Sequence, residues 1–115
     1  MQKNDFNKLI ISGHIKNSPY MGTTANGTPV VNFVLCSDFR KKREDFEVTV
    51  WGDLAEKSYY GLKPDDRVLI EGHIQKRNAN HTCFTYENGL IEVVARRIFS
   101  LDKGVSFNEL GSQLN

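Results

Sequence analysis

Between Phe39 and Phe46 the chain reads FRKKREDF, with four consecutive cations, Arg40, Lys41, Lys42 and Arg43, and two anions held between aromatic rings. Such a set suits one kind of ligand. Cationic side chains meet phosphates, and a ring stacked on a base contributes about 1–3 kcal/mol whichever base it is. Each phosphate neutralised on a single strand adds about 0.7 to the salt dependence of binding. A second set of the same chemistry follows in KRNANHTCFTY, with Lys76, Arg77, Phe84 and Tyr86. The only tryptophan, Trp51, closes the stretch FEVTVWG. A charge run is also what a solvated loop looks like, and each aromatic has a packing alternative. The sequence around these residues must therefore decide.

Other chemistries lack their residues. Cys36 and Cys83 both lie in strand-like stretches and read as small buried hydrophobes rather than a disulfide. His14, His73 and His81 form no metal-ligand spacing with cysteine or carboxylate. Glu44-Asp45 and Asp65-Asp66 are the adjacent acidic pairs near loops, and solvation accounts for both, so neither a nuclease nor any other metal-dependent enzyme is expected. No metal and no cofactor are expected. The formal charge of +1 excludes a uniformly basic coat protein but hides local clusters, namely Arg40 to Arg43, Lys76-Arg77 and Arg96-Arg97. Strict alternation sends Arg96 and Arg97 to opposite faces, so one at most would serve a common surface. No apolar run approaches the roughly 18 residues of a membrane span, and MQKNDFNKLI lacks the features of an export signal. A cytoplasmic, nucleoid-associated location is the expectation.

Period-two alternation dominates the chain. In KLIISGHIK the residues Leu9, Ile11, Gly13 and Ile15 face inward. SPYMGTTANGTP reads as turn-forming throughout, with Asn26-Gly27 at a tight hairpin turn, and leads into VVNFVLCS, where Val31, Phe33 and Leu35 share the inner face. In FEVTVWG, Phe46, Val48 and Val50 face the core, while Glu47, Thr49 and Trp51 face away. DLAEKSYYGLKP carries a short helix, with Asp53 as N-cap, Glu56 at the reciprocal position and Gly61 as the stop. RVLIEGHIQKR is a fourth strand with Val68, Ile70, Gly72 and Ile74 inward, and TCFTYENGLIEVVARRI a fifth. Residues 102–115 lose the period and read as a short, loosely held polar tail behind a domain of residues 1–101.

Three strands, one short helix and two further strands, all short and hairpin-linked, describe an all-β, five-stranded OB-fold barrel of order β-β-β-α-β-β. In that fold both charged hairpins rise beside the binding face.

With these residues in place the sequence, from about Asn7 to Leu101, resembles the bacterial-type single-stranded DNA-binding protein family, which includes mitochondrial members. NKLIISG, the set Pro19, Asn26, Gly27 and Val30, VWGDLAE, VLIEGHIQKR and Glu92 to Ala95 are similar in order and spacing to the family's segments. The resemblance implies a non-enzymatic protein that coats single-stranded DNA with little base preference in replication, recombination, repair or DNA transfer. It implies that Trp51 occupies a base-stacking position, that Lys8 and Arg77 occupy backbone-contact positions, and that Phe39 lies near another stacking position. It also implies a homo-oligomer, a tetramer with the dimer as alternative, paired through first strands. Ala79, Asp53 and Pro64-Asp65 depart from the family pattern, and the latter positions remove positive charge, so weaker or more salt-sensitive binding is expected. The ending ELGSQLN lacks an acidic tip, so recruitment of replication proteins is not expected. The alternative reading is a primosome-type or RNA-binding OB module acting as a dimer.

Overall fold

Inward and outward residues alternate along strands that wrap into a barrel. The computed structural model describes residues 3–76 and 91–110. The elements run β1 (Leu9–Ile15), β2 (Tyr20–Thr23), β3 (Pro29–Phe39), β4 (Lys42–Trp51), α1 (Asp53–Gly61), β5 (Arg67–Lys76), β6 (Ile91–Ser100), β7 (Val105–Ser106) and α2 (Phe107–Leu110). Neighbouring strands follow the order β1-β5-β6-β4-β3, and β1 returns to β3 through His14↔Cys36 and Ile15↔Leu35. Five strands thus close on themselves, antiparallel except where β4 and β6 run parallel. With the helix between the third and fourth barrel strands, this is the expected OB-fold.

The core agrees with the alternation. Ile15, Val31, Phe33, Leu35, Val48, Val50, Val68 and Ile70 are fully buried, and Leu54, Ala55 and Leu62 of the helix region join them. Phe46 packs against this core, as its parity with Val48 requires. Cys36 is buried as a free thiol, while Cys83 lies outside the described residues. Ile74 departs from expectation and is exposed. The β1–β5 register begins at Leu9↔Gly72, so Ile74 lies past the end of β1 with no strand to cover it.

Two glycines mark where backbones crowd. A Cβ at Gly13 would stand 2.4 Å from the Cys36 carbonyl oxygen, at the point where the barrel closes. A Cβ at Gly72 would stand 1.9 Å from the Val94 oxygen, beside an irregularity between Glu71↔Arg97 and Gly72↔Ala95. Arg96 is the extra residue there, a β-bulge that breaks strict alternation.

Several local expectations need correction. FRKKREDF is not a loop between strands: β3 and β4 stay paired up to Phe39↔Lys42, so Arg40 and Lys41 alone form the turn. Both have positive φ, 55° and 66°, as a two-residue type I′ turn requires. The stretch before β3 is not all turn, because Tyr20–Thr23 pairs with it. Its turn has three residues. The Thr24 N–H donates to the Thr28 oxygen, the Gly27 N–H donates to the Thr24 oxygen, and Gly27 takes φ 87°. At the helix, Gly52 rather than Asp53 is the cap and no side chain caps the first turn. Asp53 and Glu56 instead lie within that turn, where the helix dipole favours them.

The segment expected to be loose is docked as far as α2. Phe107 is 3% exposed and its ring lies over Gly61, where a Cβ would meet Phe107 Cε2 at 2.8 Å. The Asn108 amide donates to the Arg96 oxygen and accepts from the Ile98 N–H, which satisfies backbone groups around the bulge. Lys57 Nζ donates to the Asn108 carbonyl. Phe107→Ala should therefore lower stability by about 3–5 kcal/mol, the usual range for emptying a buried phenylalanine site. Chemical denaturation measures it, and an unchanged midpoint would mean that the segment does not contribute to the core.

Candidate nucleic-acid interface

The β3–β4 ribbon outruns the barrel. β1 pairs with β3 only up to Cys36, so the residues from Ser37 to Glu44 project with both faces uncovered by β1. Register assigns the faces. Phe39 pairs with Lys42, Ser37 with Glu44 and Leu35 with Phe46, which places Phe39, Lys42 and Glu44 on the same side as the core residues below them. Arg43, Asp45, Glu47, Thr49 and Trp51 take the other side.

On the inner side lies a groove of about 570 Å³ between the ribbon and β1. Leu9, Ile11 and Phe46 line it, with Leu69 at its margin, and Phe39 and Lys42 stand at the ribbon end. Phe39 is 68% exposed, so its ring is available to a ligand. The Arg40 guanidinium lies 5.2 Å from the centre of that ring, a cation–π contact that holds one charge beside one aromatic face.

The hairpin's cations are partly engaged. Arg43 makes two bonds to Asp38, at 2.8 and 3.2 Å, and Lys42 Nζ lies 3.0 Å from Glu44. These are exposed pairs of the kind that contribute about 0–1 kcal/mol, so a phosphate can compete for either cation. The Arg43 hydrogen bond holds the Asp38 carboxyl below the ordinary carboxylate range. At the ribbon's root, Lys16 Nζ bonds Asp45, whose cross-strand neighbour is Cys36. Burial first, then Asp45, pushes the Cys36 thiol up.

Trp51 is half-buried on the outer side, at the junction of β4 with Gly52. Along the same face of β4 runs a buried polar chain. Asn32 Nδ2 donates to Thr49 Oγ1 at 2.8 Å, the Thr49 hydroxyl donates to Glu92 Oε1 at 2.7 Å, and Gln75 Nε2 donates to Glu92 Oε2 at 2.9 Å. Thr49 is fully buried and Glu92 is 1% exposed. The chain ties β3, β4, β6 and β5 together two residues along β4 from Trp51. Parity alone put Thr49 outside; the bonds that bury it join strands far apart in sequence.

The residues singled out in sequence therefore divide among several places. Phe39 and Lys42 share the groove, Arg40 and Lys41 form the tip, Arg43 takes the opposite face of the ribbon, and Trp51 lies on that side of β4 but at its far end, paired with Val30. Lys8 lies apart, 2.9 Å from Glu71. Lys76 is exposed at the end of β5, opposite Ile91. Arg77, Phe84 and Tyr86 lie outside the described residues. Phe39 and Trp51 are thus not brought together on one surface. Sequence reasoning missed the polar chain through Thr49, Phe6, which is 93% exposed, and the joint position of Arg96 and Arg97.

Residues 6–100 match the single-strand binding protein family. The chain belongs to that family. Among curated relatives it is 31% identical over 109 residues to single-stranded DNA-binding protein 2 of Chlorobaculum tepidum, covering 86% of this chain and 73% of that protein. It is 33% identical over 81 residues to single-stranded DNA-binding protein 1 of the same organism, covering 63% of this chain and 50% of the relative. The single-stranded DNA-binding protein of Thermotoga maritima is also 33% identical over 81 residues, with 63% and 57% covered. Among solved structures, a deletion variant of the single-stranded DNA binding protein from Thermus aquaticus superposes with a TM-score of 0.68 at 24% identity, over 83% of this chain and 40% of that one. At that identity the likeness concerns the fold alone. This single-strand binding family member spans half to three quarters of the length of these curated relatives.

The root of the ribbon gives a two-sided pH dependence. The hydrogen bond from Lys16 lowers Asp45, so the pair's stability is present above the ordinary carboxylate value and is lost as pH falls through the depressed one. The bond to Asp45 raises Lys16, so the same stability is present below the ordinary lysine value and is lost as pH rises through the raised one. Asp45→Asn should flatten both limbs of a stability–pH profile followed by chemical denaturation. Limbs that match the wild type would remove the pair from the account.

Proposed function

We propose that this protein binds single-stranded DNA with little base preference, as a non-enzymatic coat on unpaired strands in replication, recombination, repair or DNA transfer. The observation that carries the reading is the projecting β3–β4 ribbon, which offers an exposed aromatic and a cationic tip on an OB barrel of the single-strand binding family. In this reading Phe39 stacks on a base at the ribbon and Trp51 on another at the far end of β4, and Arg40, Lys41, Lys42 and Arg43 meet phosphates. Lys76, Arg77, Phe84 and Tyr86 extend the contact from the second arm, and Lys8 adds a backbone contact. Displacing Asp38 and Glu44 from their cations is part of binding, and the counterions released from the neutralised phosphates make affinity dependent on salt.

A homo-oligomer belongs to the proposal, a tetramer with the dimer as alternative. Ile10, Leu69 and Phe99 lie exposed across the outer face of β1, β5 and β6, where the register Leu69↔Phe99 sets two of them side by side. Covering such a face with a second copy removes apolar surface from water. No described helix is long and apolar enough to cross a membrane. A cytoplasmic, nucleoid-associated location fits the proposed ligand.

One tryptophan makes the test direct. Oligo-dT should quench Trp51 emission, and Trp51→Ala should weaken binding by about 1–3 kcal/mol, the worth of one stacked base, with sedimentation unchanged. Asp38→Asn should tighten binding a few-fold by freeing Arg43. Wild-type affinity in Trp51→Ala, followed by anisotropy of a labelled oligonucleotide, would remove the leading contact. Equal or tighter binding of oligo-U would turn the reading toward RNA.

A further inference from the structure

We propose that a second nucleotide subsite, built from Phe6, Lys8, Arg96 and Arg97, lies outside the β3–β4 ribbon and takes a further stretch of the same single strand. The inference rests on the single-stranded DNA reading and extends it from Lys8, already placed as a backbone contact, to Phe6, Arg96 and Arg97, which that reading does not use.

The β-bulge creates the site. With Arg96 as an extra residue in β6, the two arginines no longer alternate, and both line one concavity of about 400 Å³ with Phe6, Asn7, Lys8, Glu71 and His73. Neither guanidinium has an ion-pair partner among the described residues, in contrast to Arg43 and Lys42 of the hairpin. One carboxylate, Glu71, lines the same concavity as Lys8, Arg96 and Arg97, and Lys8 Nζ bonds it at 2.9 Å. The Lys8 hydrogen bond holds that carboxyl below its ordinary range, with the two arginines adding in the same direction. Such a pocket favours an added anion.

The aromatic is held at its edge. Asn7 clamps the N-terminal segment along β5, its amide donating to the Ile74 oxygen at 2.7 Å and accepting from the Ile74 N–H at 3.1 Å. Phe6, next in the chain, is thereby held beside the arginines with its ring open to solvent. An exposed ring beside unpaired guanidinium groups matches a base and its phosphates, the chemistry of the ribbon repeated elsewhere. Asn108 fixes the bulge from behind through the Arg96 carbonyl and the Ile98 N–H.

The site also adjoins the first. The parallel register runs Val48↔Val93, Thr49↔Val94 and Val50↔Ala95, which leaves Trp51 and Arg96 as the next positions on the two strands. A strand stacked on Trp51 therefore passes Arg96 on its way into the concavity.

The test compares two lengths of oligo-dT, one of about 8 nucleotides, within the usual span of one OB barrel, and one of about 30. Trp51 emission reports the first site for both. For Arg96→Ala/Arg97→Ala, binding of the long oligonucleotide should weaken and its logarithmic salt slope should fall by about 1.4, two phosphates' worth. The short one should bind as to the wild type. Phe6→Ala should weaken long-oligonucleotide binding roughly tenfold with the salt slope unchanged, because a stacked base releases no counterion. Unchanged long-oligonucleotide affinity and slope in the double variant would overturn the subsite, as would equal losses at both lengths. A changed sedimentation coefficient with wild-type affinity would also overturn it, and would assign the concavity to contact between copies. A wild-type chain that quenches with neither oligonucleotide would sink the functional reading itself.

Discussion

The barrel closes along a very short seam, and the rest of the architecture follows from where that seam stops. β1 meets β3 at His14↔Cys36 and Ile15↔Leu35 and then parts from it. The contact is so close that a side chain at residue 13 would strike the Cys36 carbonyl. Below the seam, alternating side chains fill a closed core. Above it β3 and β4 continue with no third strand paired to them, and the alternation that built the core now gives a ribbon with two usable faces. Groove and outer surface are thus one structural event seen from two sides.

Electrostatics on that ribbon is a matter of competition rather than excess charge. The chain is nearly neutral, and two of the four hairpin cations have carboxylate neighbours. Pairs of this kind at the surface are weak, so they keep the side chains extended and soluble without withdrawing them from an incoming polyanion. Among the described residues the arginines of the bulge have no ion-pair partner, and the carboxylate beside them, Glu71, is bonded to Lys8.

Much of the fold was legible because period two is a direct readout of a half-buried strand. Val31, Phe33, Leu35, Val48 and Val50 declared the core, the single helix stood out by composition, and the element order was enough to choose the barrel. What escaped had no period to betray it. A bulge is one unpaired residue, so Arg96 and Arg97 read as ordinary alternation until the register of β5 against β6 is known. The left-handed turn at Arg40 and Lys41 carries none of the glycine or asparagine that announces such turns, and the charged run therefore looked like a loop. Phe107 sits in a polar segment whose one buried ring is invisible without its seat at Gly61. The opposition of Phe39 and Trp51 depends on the turn having two residues and no more.

That last dependence reaches further. A two-residue connection locks β3 to β4 in register out to its final pair, so the hairpin has no slack in which to absorb a change of length. Inserting one residue into either arm would rotate everything distal to it by half a period, sending the ring at position 39 to the face that Arg43 holds and the reverse. Relatives that lengthen or shorten this arm while keeping its chemistry are accordingly constrained to do so in matched steps on both strands, or to place the odd residue in a bulge or at the tip.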